Sequence, residues 1–425
     1  MLLRIKEKLL KKLVFLIKVR GRLSKMARIL YSLAQDGRGH ASRGYEIIRR
    51  LAEQGHKIMA FTGGDTYEPL EIALKDMPNV SLHRLPGFKC TYHKNGKIDY
   101  AKTFSRNVTT FMSSDMIIKK LKEIIDDYDF DFAISDFEPF LPRAAKSKKL
   151  RFITIDNQHK LMFGKLNIKK MKAKYFPSYL VSVGVVQSAH PFGSKCIIAS
   201  VFKPELKRKK FGKTKIIVVG PLIRQEIEKE KEQVTKKNFV LIYVKPVLEK
   251  AIIPLLKGVD ANFVMYVTNP EKYRKTSRIT YKAHSADEFA KDMARCKAVI
   301  SSAGEQLMSE AIYLGKPLFL IPEGGQFEQI LNGYCVKTAG FGDYKDIIDV
   351  EKDDIASFLK KLPAYEAKIR RMKVTNSVDE VMRIIYSELK KGLVQKEELK
   401  KKAFRKKKKK QKKKKKQKKK ALRKR

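Results

Sequence analysis

The sequence predicts an α/β protein of two Rossmann-like domains, each built on a parallel sheet, facing one another across a cleft. Three observations predict it. Residues 28–62 read as strand, Gly-rich loop, helix, strand. Such a βαβ unit needs a crossover, and a crossover implies parallel strands. Residues 239–340 repeat βα units with no hairpin signal, which gives a second parallel sheet. Between these blocks, residues 222–237 are charged and suit a linker. A chain of 425 residues with 43% apolar content is long enough for two cores. The boundaries that follow are a basic extension at 1–25, a first domain at 26–221, the linker at 222–237, a second domain at 238–394 and a tail at 395–425.

Residues 1–25 have the spacing of an amphipathic helix. Leu2, Leu9, Leu13, Leu16 and Ile17 share one side, and Arg4, Lys8, Lys11, Lys12 and Lys18 share the other. The longest apolar run, 13–17, falls far short of the ~20 residues a membrane span needs. The extension reads as a helix lying on an anionic membrane. The competing readings are a solvated basic extension, or an upstream start codon with Met26 as the natural start.

In the first domain, residues 28–34 and 57–62 are apolar strands around a helix at 42–54. Their loop is Gln35-Asp36-Gly37-Arg38-Gly39-His40. A dinucleotide fingerprint wants its third glycine sooner than Gly44 and an acid about 20 residues on. Asp65 is 28 residues past Gly37, so NAD and FAD are excluded. A short helix at 70–76 and a strand at 80–84 follow. Residues 86–100 are too long for a plain connection and read as a cleft-lining loop. Residues 102–126 read as one helix and 131–135 as a strand. Asp129 and Asp131 precede that strand, so they read as turn acids and not as metal ligands. Asp136 and Glu138 stand at its carboxyl end, where open α/β sheets place their sites. A strand at 151–156 ends in Asn157-Gln158-His159, and 179–187, 196–201 and 215–219 read as further strands.

The second domain reads as strand 239–244, helix 247–256, strand 262–267 and helix 286–294, with closing helices at 355–362, 365–374 and 378–390. Its most informative stretch is 298–340. Val299 and Ile300 end a buried strand, and Ser301, Ser302, Ala303 and Gly304 allow a sharp turn. A helix starts at Glu305 and is stopped by Gly315 and Pro317. A second strand at 318–321 runs into the loop at Pro322, Gly324 and Gly325. A helix N-terminus after small residues offers unpaired N–H groups and the positive end of a dipole, which suits a diphosphate. Glu310, under two turns further on, could accept hydrogen bonds from a sugar diol.

This stretch resembles the donor half of GT-B glycosyltransferases. The relatives in view are the UDP-N-acetylglucosamine transferase of peptidoglycan synthesis and the galactolipid synthases, family 28-like enzymes. The matching frame is Gly304, Glu310, Gly315, Pro317, Pro322, Gln329 and Asn332. The resemblance implies a GT-B fold, with Glu310 on the nucleotide ribose and Gln329 on donor-sugar hydroxyls. Glu305, Gln326 and Asn332 join them as donor-binding residues. The loop Glu323-Gly324-Gly325-Gln326-Phe327-Glu328-Gln329 is more Gly-rich than in the peptidoglycan enzyme. The first loop is similar to the GxGH loop of the same enzymes, where Gly37 and Gly39 would let an acceptor or phosphate reach the backbone. The resemblance further implies a UDP-linked hexosyl donor, inversion at the anomeric carbon and a lipid-linked or cell-envelope acceptor.

Glycosyl transfer needs a base and stabilisation of the departing diphosphate. His40 suits the base by type. Asp36 either orients it or is itself the base, and Asp136 is the third choice. With no HxxxH, HExxH or paired carboxylates beyond the turn acids, no metal site is expected; the amides near Gly304 and Glu305 would stabilise the leaving group. No cofactor is expected.

The net charge is +49, of which +20 lies in residues 400–425 and +9 in residues 1–28. The tail from Lys396 reads as disordered by self-repulsion. It suits an anionic membrane surface or non-specific nucleic acid; only Phe404 interrupts it as an aromatic, so base stacking is not indicated. Four scattered cysteines fit a reducing cytoplasm, at the inner face of the cell membrane if the basic ends dock there. Two other readings use the same features: a nucleotide-sugar 2-epimerase, and a non-catalytic binder of lipid or nucleic acid.

Overall fold

The structure is a computed structural model, and it describes residues 26–93, 97–188, 191–274 and 276–422. The amphipathic helix expected at 1–25 lies outside the described residues. The first sheet contains β1 (Arg28–Leu33), β2 (Lys57–Thr62), β3 (Val80–Arg84), β4 (Phe132–Asp136), β5 (Phe152–Asp156), β6 (Lys195–Ala199), β7 (Lys210–Phe211) and β8 (Thr214–Val219). Its order is β3-β2-β1-β4-β5-β6-β8-β7, parallel except for the β7–β8 hairpin. The second sheet contains β9 (Val240–Tyr243), β10 (Phe263–Tyr266), β11 (Ile279–Lys282), β12 (Ala298–Ser301), β13 (Leu318–Leu320) and β14 (Gly342–Tyr344). Its order is β11-β10-β9-β12-β13-β14, parallel throughout.

The first domain's helices are α1 (Arg38–Glu53), α2 (Gly64–Leu74), α3 (Tyr100–Met112), α4 (Ser114–Tyr128), α5 (Phe140–Ser147), α6 (Lys160–Phe163) and α7 (Phe176–Ser188). The linker holds α8 (Gln225–Lys229). Then come α9 (Pro246–Lys257), α10 (Ala286–Arg295), α11 (Glu305–Tyr313), α12 (Phe327–Ala339), α13 (Lys352–Lys360), α14 (Leu362–Arg371) and α15 (Val378–Leu422). Central strands such as β4, FAISD, are buried along their whole length because helices cover both faces. Strand order reverses direction at β1/β4 in one sheet and at β9/β12 in the other. Crevices open at such reversals, beyond the carboxyl ends of the strands.

The structure departs from the sequence reading in four places. Residues 179–187 form helix α7 and not a strand. Their β-branched alternation signals a strand only if one face is buried, and here most of these side chains face solvent, while Pro177 favours a helical first turn. The long helix expected at 102–126 is two, broken at Ser113. The short strands β7, β11 and β14 were not expected. Finally, the closing helix does not finish the second domain. Val378, Val381, Met382, Ile385 and Leu389 of α15 pack with Ile47, Ile48 and Leu51 of α1 in the first core. It then continues as helix to Leu422 through the segment expected to be disordered. Lysine is a good helix former, and the base of this segment is pinned, Lys396 to Asp131 at 2.6 Å and Lys400 to Asp129 at 2.9 Å.

Glu388 fastens α15 to the first sheet. Its buried carboxylate accepts from Arg151 at 2.5 and 2.9 Å, Ser194 at 2.7 Å and Lys391 at 2.8 Å. Burial works against its charge, but these donors outweigh it and hold its pKa at about 2. A depressed carboxylate stabilises the fold above its unfolded pKa and loses that contribution as pH falls toward the folded value. Glu388→Gln should therefore cost about 3 kcal/mol at pH 7 and progressively less from about pH 4.5 down to pH 2. Denaturant unfolding across that range checks this; a pH-independent difference would contradict it.

Candidate active site in the cleft

His40 sits in the first turn of α1, straight after β1. Gly37, at φ +102°, turns the chain there, and no side chain caps the helix. Leu33 of β1 lies beside Asp136 of β4 in register, so the end of β4 comes level with this loop. His40 Nδ1 lies 2.8 Å from Asp136 Oδ1. An ionised carboxylate only accepts, so Nδ1 carries the proton and Nε2 is left as the basic nitrogen. Gln158, from the loop after β5, brings its amide nitrogen to 3.4 Å from Nε2. Arg43 grips Asp136 through Nε at 2.8 Å and Nη2 at 2.6 Å. Asp136 is fully buried; burial opposes its charge, yet Arg43 and His40 hold it below the usual carboxylate range.

This geometry corrects two expectations. Asp136 cannot be a base for an external hydroxyl, because both its oxygens are occupied inside the protein; it orients His40. Asp36 does not orient His40. It accepts from the Cys90 amide at 3.1 Å and lies 4.0 Å from Lys245. His159 is also away from the cleft. It is buried against Asp156 at 2.6 Å, among Phe137, Phe163 and Phe192.

The opposite wall is the N-terminus of α11. Gly304 is its N-cap, with no side-chain cap and open space where a Cβ would stand. The two walls meet at Gly39, where a Cβ would lie 3.5 Å from that of Gln306. Arg38 also reaches across to the Tyr243 hydroxyl at 3.2 Å. Two uncapped helix N-termini, α1 and α11, thus flank one region, and both dipoles make it positive.

Of the other expected donor residues, several are turned inward. Glu310 is buried and held by Arg224 of the linker, Nε and Nη2 at 2.7 Å each, with Gln306 at 2.8 Å. A ribose diol would have to displace that arginine. Gln329 braces its own loop, accepting from the Glu323 amide at 2.9 Å and donating to Glu323 and Gln326. Asn332 is buried between the Ala303 carbonyl and Lys160. Glu305 joins the domains: Lys160 Nζ lies 2.5 Å from its Oε2, and the Val201 amide donates to Oε1 at 2.9 Å. Gln326 bonds Tyr92 and Glu323.

The loop expected to line the cleft does so. Ile98 donates its amide to the Gly324 carbonyl at 2.7 Å, and Tyr100 reaches the Gly325 carbonyl at 3.3 Å. A Cβ on Gly324 would overlap Lys97, which accounts for a glycine where this loop docks. Lys245 was missed by the sequence reading. It follows β9 directly, precedes α9, and places Nζ 2.9 Å from Glu323 and 3.3 Å from the Tyr92 hydroxyl. Its position at a strand's carboxyl end was the available signal. Among the described residues no three His, Cys, Asp or Glu side chains come together as metal ligands.

Two parallel-sheet domains with their strand-order reversals facing one another define the GT-B fold. The family described as Glycosyl transferase family 1 matches residues 27–363, and the chain belongs to it. An uncharacterized glycosyltransferase of Methanosarcina acetivorans is 22% identical over 367 residues, 81% of this chain and 93% of that one. Among solved structures, a UGT2 of Phytolacca americana complexed with UDP-2-fluoro-glucose and pterostilbene is similar at 13% identity. Its TM-score is 0.60, over 85% of this chain and all of that one. The MurG of Acinetobacter baumannii is similar at 12% identity and TM-score 0.55, over 85% and 99%. These likenesses establish the GT-B fold; the family 28-like affinity expected from the sequence is coarser in outcome, a family 1-like glycosyltransferase.

Proposed function

We propose that the chain is an inverting transferase that moves a hexosyl group from a UDP-linked sugar to a hydroxyl of a lipid-linked or cell-envelope acceptor. The observation that carries this is the His40–Asp136 pair, 2.8 Å apart, beside the open N-terminus of α11. The acceptor oxygen attacks the anomeric carbon and its proton passes to His40 Nε2. The bond from that carbon to the diphosphate oxygen breaks, and the electron pair leaves with the diphosphate. Its charge is met by the first-turn amides of α11 and by Lys245, without a metal ion. Glu310, already saturated by Arg224, fixes the linker on α11 in this reading. The similar structure that holds UDP-2-fluoro-glucose supports a nucleoside diphosphate donor, and the basic ends at 1–25 and 396–425 support an acceptor at an anionic membrane face, with the chain peripheral on its cytoplasmic side.

A thermal-shift series with UDP, GDP, CDP and dTDP tests the donor. UDP at 100 times its Kd should stabilise the chain by about 2.7 kcal/mol. Equal or absent shifts across the series would remove the UDP assignment.

A further inference from the structure

Helix α7 contains no charged residue, yet only Ser178 and Val186 of its 13 residues are buried. Phe176, Leu180, Val181 and Val185 are 47 to 54% exposed. Their spacing spreads them over about half of the helix circumference, with the buried Ser178 and Val186 on the other half. So apolar a surface helix calls for a partner. The segment leading into it is basic: Lys169, Lys170 and Lys172 are exposed and have no ion pair among the described residues. Lys174, the next lysine, is held instead by Asp346 and Asp349.

A second apolar group lies on the same side. The crossovers β3 to β4, β4 to β5 and β5 to β6 all advance in one direction along the sheet. Right-handed crossovers then put α3–α4, α5 and α7 on one face. Arg143 of α5 donates to the Ser188 carbonyl of α7 at 2.7 Å, which keeps them side by side. At the α3–α4 corner Phe111, Met112 and Met116 are exposed.

We infer that this face docks on an anionic lipid bilayer, with α7 lying in the interface and the three lysines against the headgroups. Apolar side chains bordered by unpaired cations fit that surface by both hydrophobicity and charge. Tyr179 of α7 also packs at a tilt against Phe327, the first residue of α12, with ring centroids 5.0 Å apart. The docked face would therefore border the cleft. That the acceptor is drawn from this bilayer rests on the proposed transferase activity; the docking itself does not.

The chain has no tryptophan, which makes the test specific to α7. Leu180→Trp is introduced in the full chain, with Ile72→Trp as the control on α2, an exposed position of the opposite face. Each is mixed with phosphatidylcholine vesicles, with and without phosphatidylglycerol, and with brominated lipids. The inference expects a blue shift and bromine quenching for Leu180→Trp on anionic vesicles only, and neither for Ile72→Trp. Changing Lys169, Lys170 and Lys172 to Gln should weaken vesicle binding by about fivefold each. Vesicle binding by the Leu180→Trp variant with no change in its indole emission would overturn it, since the basic ends would then bind alone. A blue shift that grows with protein concentration in the absence of vesicles would overturn it in favour of a second copy of the chain. No donor is present in these measurements, so their failure leaves the UDP titration untouched.

Discussion

His40→Ala should lower kcat by about 10²–10⁴-fold while leaving UDP affinity unchanged. The split follows from position. Among the described residues the polar neighbours of the His40 ring, Asp136, Arg43 and Gln158, all belong to the first domain and none to the α11 N-terminus. Removing it takes away the proposed proton acceptor and leaves the helix amides in place. His40→Gln, which retains a polar group but no basic nitrogen at this pH range, should be nearly as slow. Single-turnover rates at saturating donor, beside calorimetric titration of UDP, separate the two effects. Wild-type kcat in His40→Ala would move the base elsewhere, and Asp36 would then be the residue to examine. Asp136→Asn is the less clean experiment, because it also strips Arg43, a buried cation, of its partner.

The fold was legible where burial on both sheet faces wrote itself into the sequence. Strands such as 57–62 and the parallel order of both sheets follow from apolar runs separated by helices. The sequence misled at α7, where an apolar β-branched run lies on the surface, which periodicity cannot distinguish from a core. It also misled at α15. Nothing local in Val378, Val381 or Met382 says which of two cores they join. For the site, the loop at 35–40 and the turn before Glu305 were legible because small residues at strand ends have few other uses. Side-chain partners were not. Glu310, Gln329 and Asn332 match a frame in sequence, but Arg224, Glu323 and Lys160 come from distant segments and take up their polar atoms. Asp136 illustrates the same limit in the other direction: its value lies in being 96 residues from the histidine it holds.

Lys160→Met should destabilise the chain by about 3–5 kcal/mol, since it leaves Glu305 buried and unpaired. Burial opposes both charges, and the pair survives because each offsets the other: Glu305 is held below and Lys160 above its ordinary pKa. Removing both charges together, as Lys160→Met with Glu305→Leu, should recover most of the loss, because the desolvation cost of each ion disappears with it. A double variant as unstable as the sum of the singles would show that the two residues act separately. The pair has a further consequence. Lys160 belongs to the first domain, while Glu305 is the first residue of α11, whose amides face the cleft. Loss of Lys160 therefore loosens the helix terminus proposed to meet the diphosphate. UDP affinity should fall in Lys160→Met although the Lys160 ammonium is spent on Glu305 and Asn332. Unfolding monitored by two probes, one in each domain, should also show their transitions separating once this tie is cut.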